Sequence, residues 1–391
     1  MIPLELSLLE PLGRLERRAD AVTGVKIDSR KVEEGDLFVA VGPGEAFVAD
    51  ALERGAAAAL VPSDPHQALG AIARAVRRRS RATVVAITGS TGKTTTKDIL
   101  AALCSPHRRT VASEGNYNNE LGVPLTLCRL EPDTELCIVE MAMRGLGQIA
   151  WLASLARPDV AVITNVGPVH LELLGSVEQV ARAKAELLEA LPPGGVAVVP
   201  DEPLLEPYLA RRDLDVRRFA ERVPFETSFT ARHQLENTRA AIAVCEALGV
   251  PLPARLDVVF TPLREEELEL PGGVLLLNDC YNANPLSMRA ALLHLAERAG
   301  TRRRLAVLGE MAELGENAPA YHAEVGRLAA ELGVEVIAVG PLARAYGGRH
   351  VAGAEEAADV LAAALRPGDV VLVKGSRSVG LETVAAKLVG R

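Results

Sequence analysis

Thr83-Val84-Val85-Ala86-Ile87-Thr88-Gly89-Ser90-Thr91-Gly92-Lys93-Thr94-Thr95 is the stretch that decides how this chain folds. A short, nearly continuous apolar run ending at glycine reads as a parallel strand buried on both faces. From Thr96 onward the pattern is helical, so the glycine-rich turn joins a strand to a helix N-terminus. In that position the turn's N–H groups and the positive helix end face an anion. Gly89, Ser90, Thr91, Gly92, Lys93, Thr94 and Thr95 are therefore the candidate nucleotide contacts. Lys93 would neutralise the β- and γ-phosphates, and the Thr94 hydroxyl would reach Mg²⁺. Ile87 stands where the usual phosphate loop has its first glycine, which makes this a shortened G-x-x-G-K-T form. ATP is the expected cofactor.

On either side the same alternation continues. Short apolar runs at 136–141, 160–166 and 196–200 are separated by amphipathic helices, one of them opened by a capping-box signature at Ser176 and Gln179. Prolines 251, 253 and 262 mark a boundary, beyond which runs at 274–279, 305–311, 334–340 and 370–376 alternate with helices again. Upstream, Val25-Lys26-Ile27, Leu37 to Val41 and Ala58 to Val61 outline a smaller module. The run Arg77-Arg78-Arg79-Ser80-Arg81 is expected to end a solvated helix beside the next boundary. The fold class is α/β, as three α/β domains in series over residues 1–81, 82–261 and 262–391.

Composition excludes several classes. A net charge of -8 and an aromatic content of 3% argue against nucleic-acid binding, which needs a basic face and often stacking rings. No window approaches the ~18 apolar residues of a membrane span. The first residues, MIPLELSLLEPLG, carry no basic region of the kind that opens a signal peptide. Five widely spaced cysteines without a C-x-x-C pair suit reduced thiols, hence a cytoplasmic protein. Of nine asparagines, eight fall in the short segments GNYNN, TNV, GEN and NDCYNAN, which suggests hydrogen-bonding sites, with turn chemistry as the competing explanation.

Glu140 ends the strand LCIVEM and His170 lies in the loop after AVITNV, both beyond the carboxyl ends of parallel strands, where ligands bind. A carboxylate and an imidazole beside a phosphate loop could hold a divalent ion. Either one alone reads equally well as a helix cap or a loop residue. Lys184, inside the helical segment SVEQVARAKAELLEAL, reads by itself as a solvated lysine.

The segment TGSTGKTTTK resembles the ATP loop of the Mur ligases and of their relative folylpolyglutamate synthase. The stretch Gly115-Asn116-Tyr117-Asn118-Asn119-Glu120-Leu121-Gly122-Val123-Pro124 is similar to the muramoyl-peptide-binding segment of one branch of the Mur family. The later segments Asp279 to Pro285, Gly309 to Gly315 and Lys374 to Ser378 agree with that branch, and the D-N-P-R motif of the neighbouring branch is missing. The resemblance covers essentially the whole chain. It implies a cytoplasmic monomer that uses ATP to join D-alanyl-D-alanine to UDP-N-acetylmuramoyl-tripeptide through an acyl phosphate.

Residue by residue, the resemblance implies Lys93, Glu140, His170 and Lys184 as catalytic. Thr94, Glu140, His170 and a carbamylated Lys184 would lie around Mg²⁺, with Mn²⁺ tolerated. Asn237, Arg264 and Asp279 would meet the nucleotide, and Gln234 stands where the family has asparagine. Ser29 and Arg30 would belong to a uridine-binding module, although Gly44 to Val48 departs from the family's G-E-R-F-D. Asn116, Asn118, Asn119, Asn282, Lys374, Ser376 and Arg377 would contact the substrates. The alternatives are the Mur ligase that adds a diamino acid, folylpolyglutamate synthase, and an inactive nucleotide-binding scaffold.

Overall fold

The computed structural model describes residues 1–389 and contains three main sheets, each placed in chain order. The first 80 residues form a four-stranded sheet in the order Gly13–Arg17, Ala58–Pro62, Asp36–Val39, Gly24–Lys26, antiparallel at the first pair and parallel after it. The second sheet is six-stranded and wholly parallel, in the order Asp215–Arg218, Val196–Val199, Val160–Ile163, Thr83–Thr88, Leu136–Glu140, Thr110–Ala112. The third runs Glu266–Leu270, Val274–Asn278, Val370–Lys374, Arg304–Gly309, Val334–Val339, Arg349–Val351, with only the first strand antiparallel. Helices cover both faces of the two larger sheets, which is why their inner strands are buried along nearly their whole length and carry near-continuous apolar runs rather than alternating ones.

Register places the site. Ile87 pairs with Glu140, and Thr88 pairs with Ile163. The loops that follow these three strands, 89–92, 141–147 and 164–170, therefore leave the sheet side by side at its carboxyl edge. In the third sheet Val373 pairs with Asn278 and Lys374 with Leu308, so Asp279, Lys374 and the loop after Gly309 share one edge as well.

The arginine run is not solvated throughout. Arg77, on the helix Pro65–Arg79, donates from Nε to the Ala156 carbonyl at 2.7 Å and from Nη2 to Arg157 at 3.1 Å. Those carbonyls end the helix Gln148–Ala156, where the free C=O groups and the helix dipole favour a cation. One apolar cluster also runs without interruption from Leu4 and Leu60 through Ile72 to Ile149 and Ile163. The N-terminal sheet and one face of the central sheet thus share a core across residue 81. Arg77→Ala is expected to lower stability by about 1–3 kcal/mol, because the part-buried Ala156 carbonyl loses its donor. Thermal unfolding would read this as a lowered Tm with the far-ultraviolet spectrum unchanged.

Helix ends were partly legible. Ser176 does accept from the Gln179 N–H at 3.3 Å, but the Gln179 side chain does not return to complete the box, and its Oε1 is buried without a partner. A complete reciprocal box forms instead at Asn284 and Ser287, opening the helix Pro285–Ala299.

Candidate active site

The turn after Thr88 is shaped by two glycines. Gly92 has φ 75°, and a Cβ there would lie 2.3 Å from Asn237 Oδ1; at Gly89 it would lie 1.8 Å from Thr164 Oγ1. Neither position has room for a side chain. Asn165 fastens the turn from the next loop: its Oδ1 accepts from the Thr91 N–H at 2.9 Å and its Nδ2 donates to Thr91 Oγ1 at 2.7 Å. Ser90 is tied likewise to Gly167. The helix Lys93–Cys104 begins at once, so its N-terminal N–H groups open toward the turn. Lys93 folds back, Nζ donating to the Gly89 carbonyl at 2.9 Å. Burial holds its pKa below the usual lysine range, against the pull of Glu140, and Arg264 adds to the lowering.

Glu140 is fully buried, and both its oxygens are engaged. Thr94 Oγ1 donates to Oε2 at 2.8 Å and Asn118 Nδ2 donates to Oε1 at 2.7 Å. The GNYNN stretch is therefore hydrogen-bonded to the carboxylate that holds the phosphate loop. Asn119 is spent locally, its Oδ1 accepting from the Leu121 and Gly122 N–H groups, while Asn116 is exposed at the rim.

His170 completes this wall, and Lys184 is buried behind it. His170 sits at φ 52° and its Nδ1 meets a carboxylate oxygen of Glu313. Burial lowers the His170 pKa, opposed by Glu313 and reinforced by Lys93 and Lys184. Lys184 is not a solvated helix lysine: its residue exposure is 2% and no carboxylate pairs with it among the described residues. It does not line the cleft itself. Its pKa lies well below the ordinary lysine value, from burial first and then from the neighbouring charge of Lys93.

The third sheet closes over this wall and leaves a cleft of about 650 Å³ between them. Ser90, Thr91, Gly92, Lys93, Thr95, Asn116, Asn118, Asn119, Glu140, His170 and Asn237 line one side; Arg264, Asp279, Asn282 and Lys374 line the other. Arg264 lies over the Tyr281 ring at 4.0 Å. Lys374 is buried and donates to Asp279 Oδ2 at 2.5 Å and to the Asn282 carbonyl at 3.0 Å, so it holds Asp279 rather than standing free for a substrate. Contacts across the closure are direct. Asn284 Nδ2 donates to the Ser90 carbonyl at 3.4 Å, and Glu265 Oε1 accepts from Thr95 at 3.4 Å and faces His233 Nε2 at 3.1 Å.

Other expected residues fall outside the cleft. Ser376 is buried behind it, its Oγ accepting from the Ala312 N–H at 2.8 Å, and Arg377 pairs with Glu382. Ser29 is buried in the first sheet's domain, and Arg30 is turned to solvent with two bonds of 2.9 Å to Asp28. Conversely, Asn165, Glu265, Asn284 and Glu313 were not among the expected site residues. The asparagine clustering had marked the segments of Asn165 and Asn284, and Glu313 stands in a quoted motif.

The donor set suits Mg²⁺ held jointly with phosphate. Among the described residues no three His, Cys, Asp or Glu side chains gather closely enough to hold a metal alone. Glu140 is nevertheless a buried carboxylate with two neutral donors and, among the described residues, no ion pair. Mg²⁺ commonly takes one or two carboxylates and completes its shell with phosphates and water.

A phosphate loop on a parallel sheet, closed by a second α/β domain that brings its own basic and acidic groups, defines an ATP-dependent ligase rather than a bare nucleotide-binding domain. Residues 87–222 match the Mur ligase middle domain, and residues 263–377 match the Mur ligase glutamate ligase domain. The chain belongs to the Mur ligase family. It is 34% identical to the UDP-N-acetylmuramoyl-tripeptide–D-alanyl-D-alanine ligase of Escherichia coli (strain K12), covering 99% of each chain. Among solved structures, MurF from Acinetobacter baumannii superposes with a TM-score of 0.87 at 28% identity, over 100% of this chain and 99% of that one. MurF from Thermotoga maritima in complex with ADP gives 0.82 at 30% identity, over 94% and 97%. Folylpolyglutamate synthase of Mycobacterium tuberculosis, at 20% identity and a TM-score of 0.64 over 83% and 95%, shares the fold alone.

Proposed function

We propose that this ligase joins D-alanyl-D-alanine to UDP-N-acetylmuramoyl-tripeptide with ATP. The observation that carries this reading is the Asn118–Glu140–Thr94 chain of hydrogen bonds. It sets the stretch that resembles a muramoyl-peptide-binding segment directly against the phosphate loop, where a substrate carboxylate would approach the γ-phosphate.

In the proposed sequence, a carboxylate oxygen of the tripeptide attacks the γ-phosphorus. The bond to the β–γ bridging oxygen breaks and ADP leaves. The amine of D-alanyl-D-alanine then attacks the acyl-phosphate carbonyl, phosphate departs and the nitrogen gives up a proton. Lys93 and the helix end hold the phosphate charge; Asn118 and Glu140 fix the geometry; Arg264 and Asp279 close on the nucleotide. Thr94, Glu140, His170 and a carbamylated Lys184 would hold Mg²⁺ or Mn²⁺, which neutralises phosphate charge. Ser29 and Arg30, remote from the reacting groups, would take the uridine end of an extended substrate. The cleft is built within one chain, which suits a monomer. Among the described residues no helix is long and apolar enough to cross a membrane, and all five cysteines are buried and unpaired. A cytoplasmic reaction suits such thiols.

The acceptor decides the reading. Phosphate release from ATP with UDP-muramoyl-tripeptide is expected with D-alanyl-D-alanine and near background with L-lysine, diaminopimelate or L-glutamate. Rapid turnover of UDP-muramoyl-dipeptide with a diamino acid would reassign the chain to the neighbouring step.

A further inference from the structure

Five residues other than glycine have positive φ among the described residues, and four of them lie where the central and last domains meet: His170 at 52°, Leu263 at 63°, Glu265 at 53° and Glu313 at 62°. Strain of this kind persists only where the surroundings over-determine it, and it collects at functional sites. His170 and Glu313 are two of the four, and they touch each other.

The loop that carries Glu313 is braced from behind. His322 is buried, its Nε2 accepting from the Met311 N–H at 2.9 Å, and Ser376 Oγ accepts from the Ala312 N–H at 2.8 Å. Tyr346 holds the Gly309 carbonyl at 3.0 Å. In front, the Glu172 N–H donates to the Glu313 carbonyl at 3.3 Å, so the loop docks backbone to backbone on the segment after His170. The Glu313 carboxylate then spans two partners from the other domain, His170 Nδ1 on one oxygen and Arg144 Nε at 3.5 Å on the other.

We propose that Glu313 is the positioning residue of His170, supplied across the domain boundary. By engaging Nδ1 it fixes the ring and leaves Nε2 as the nitrogen available to the cleft. A ligating histidine is commonly oriented in this way by a carboxylate on its other nitrogen. Here the carboxylate arrives only when the last domain is docked, so the metal-facing wall is complete only in the closed molecule. The inference rests on the ligase reading for its consequence, but the contact itself does not depend on the identity of the amine.

The test compares Glu313→Gln, which keeps a hydrogen-bond acceptor, with Glu313→Ala, which keeps none. Mn²⁺ binding is titrated by electron paramagnetic resonance with ADP present and no acceptor. In Glu313→Ala the apparent Mn²⁺ Kd should rise by roughly 10-fold or more and kcat fall by roughly 10- to 100-fold, with Glu313→Gln between it and wild type. KM for ATP should stay within about threefold, because the phosphate loop keeps its own contacts. Wild-type Mn²⁺ affinity and kcat in Glu313→Ala would overturn the proposal. A lowered Tm with unchanged Mn²⁺ binding would do the same, by showing a purely structural role. Should the alanine variant fail to fold, Glu313→Gln decides: wild-type Mn²⁺ affinity and kcat there count against the proposal, and a partial loss of both supports it. Failure of the ligase reading would appear separately, as wild-type protein that binds Mn²⁺ with ADP but releases no phosphate with D-alanyl-D-alanine.

Discussion

Lys93→Ala is expected to turn over at least about a thousandfold more slowly than wild type while keeping its fold. The ammonium group is the loop's cation, and among the described residues its one hydrogen-bond partner is the Gly89 carbonyl at 2.9 Å. Burial already works against its charge. Removing a desolvated cation should therefore cost the fold little, since a buried charge is itself unfavourable. In the phosphoryl-transfer step the same cation faces charge that develops on the γ-phosphate. A loss of about 4 kcal/mol of transition-state stabilisation is roughly a thousandfold in rate. Lys93→Arg should not rescue, because a planar fork cannot take the place of a point charge in so tight a turn. Circular dichroism and thermal melting would establish folding, and phosphate release would read the rate. Near-normal turnover in Lys93→Ala would withdraw the phosphate-loop assignment.

Much of the architecture was legible because strand length and turn composition are local signals. The run 83–88 followed by G-S-T-G-K-T could be read without knowing its neighbours, and so could the apolar runs of the last domain. Sheet order could not, since a buried parallel strand looks the same wherever it lies. The strand Glu266–Leu270 was missed for the opposite reason: Glu-Glu-Leu-Glu-Leu alternates because it is a half-exposed antiparallel edge. Arg77 looked solvated because sequence reveals the charge but not the helix end it caps.

Within the site, residues on the loop or on neighbouring strand ends were found, since motif and topology both indicate them. Glu313 meets a partner 143 residues away and Lys374 meets Asp279 across 95, distances over which composition and periodicity carry no information. Family resemblance placed Lys374, Ser376 and Arg377 near substrate as a group. The structure separates them, with Lys374 holding Asp279, Ser376 bracing the Glu313 loop and Arg377 facing Glu382. A motif marks a neighbourhood, whereas hydrogen bonding divides the work inside it.

Lys184→Ala is expected to be nearly inactive, and a short carboxylic acid such as acetate in the buffer should restore part of the rate. The helix Val177–Glu189 turns this lysine inward, where it is 2% exposed and no carboxylate pairs with it among the described residues. A buried ammonium in that position, with Lys93 near enough to add repulsion, is the unfavourable form. Its lowered pKa makes the neutral amine available, which is the form that reacts with CO₂. The amine nitrogen bonds to the CO₂ carbon and loses a proton, leaving a carbamate anion. That exchange reverses the local electrostatics. A cation 4 Å from a divalent ion is repelled by about 4 kcal/mol per unit charge at an effective dielectric of 20, whereas an anionic oxygen is attracted on the same scale. The anion would also relieve the crowding of Lys93 and Lys184. Wild-type activity should fall in CO₂-depleted buffer and recover with bicarbonate, and once the carbamate is trapped by alkylation the peptide carrying Lys184 should gain the mass of CO₂, about 44 Da, plus that of the trapping alkyl group. Full activity in Lys184→Ala, with no rate gain from added carboxylate, would leave the buried lysine as a packing residue and remove the carbamate from the proposed chemistry.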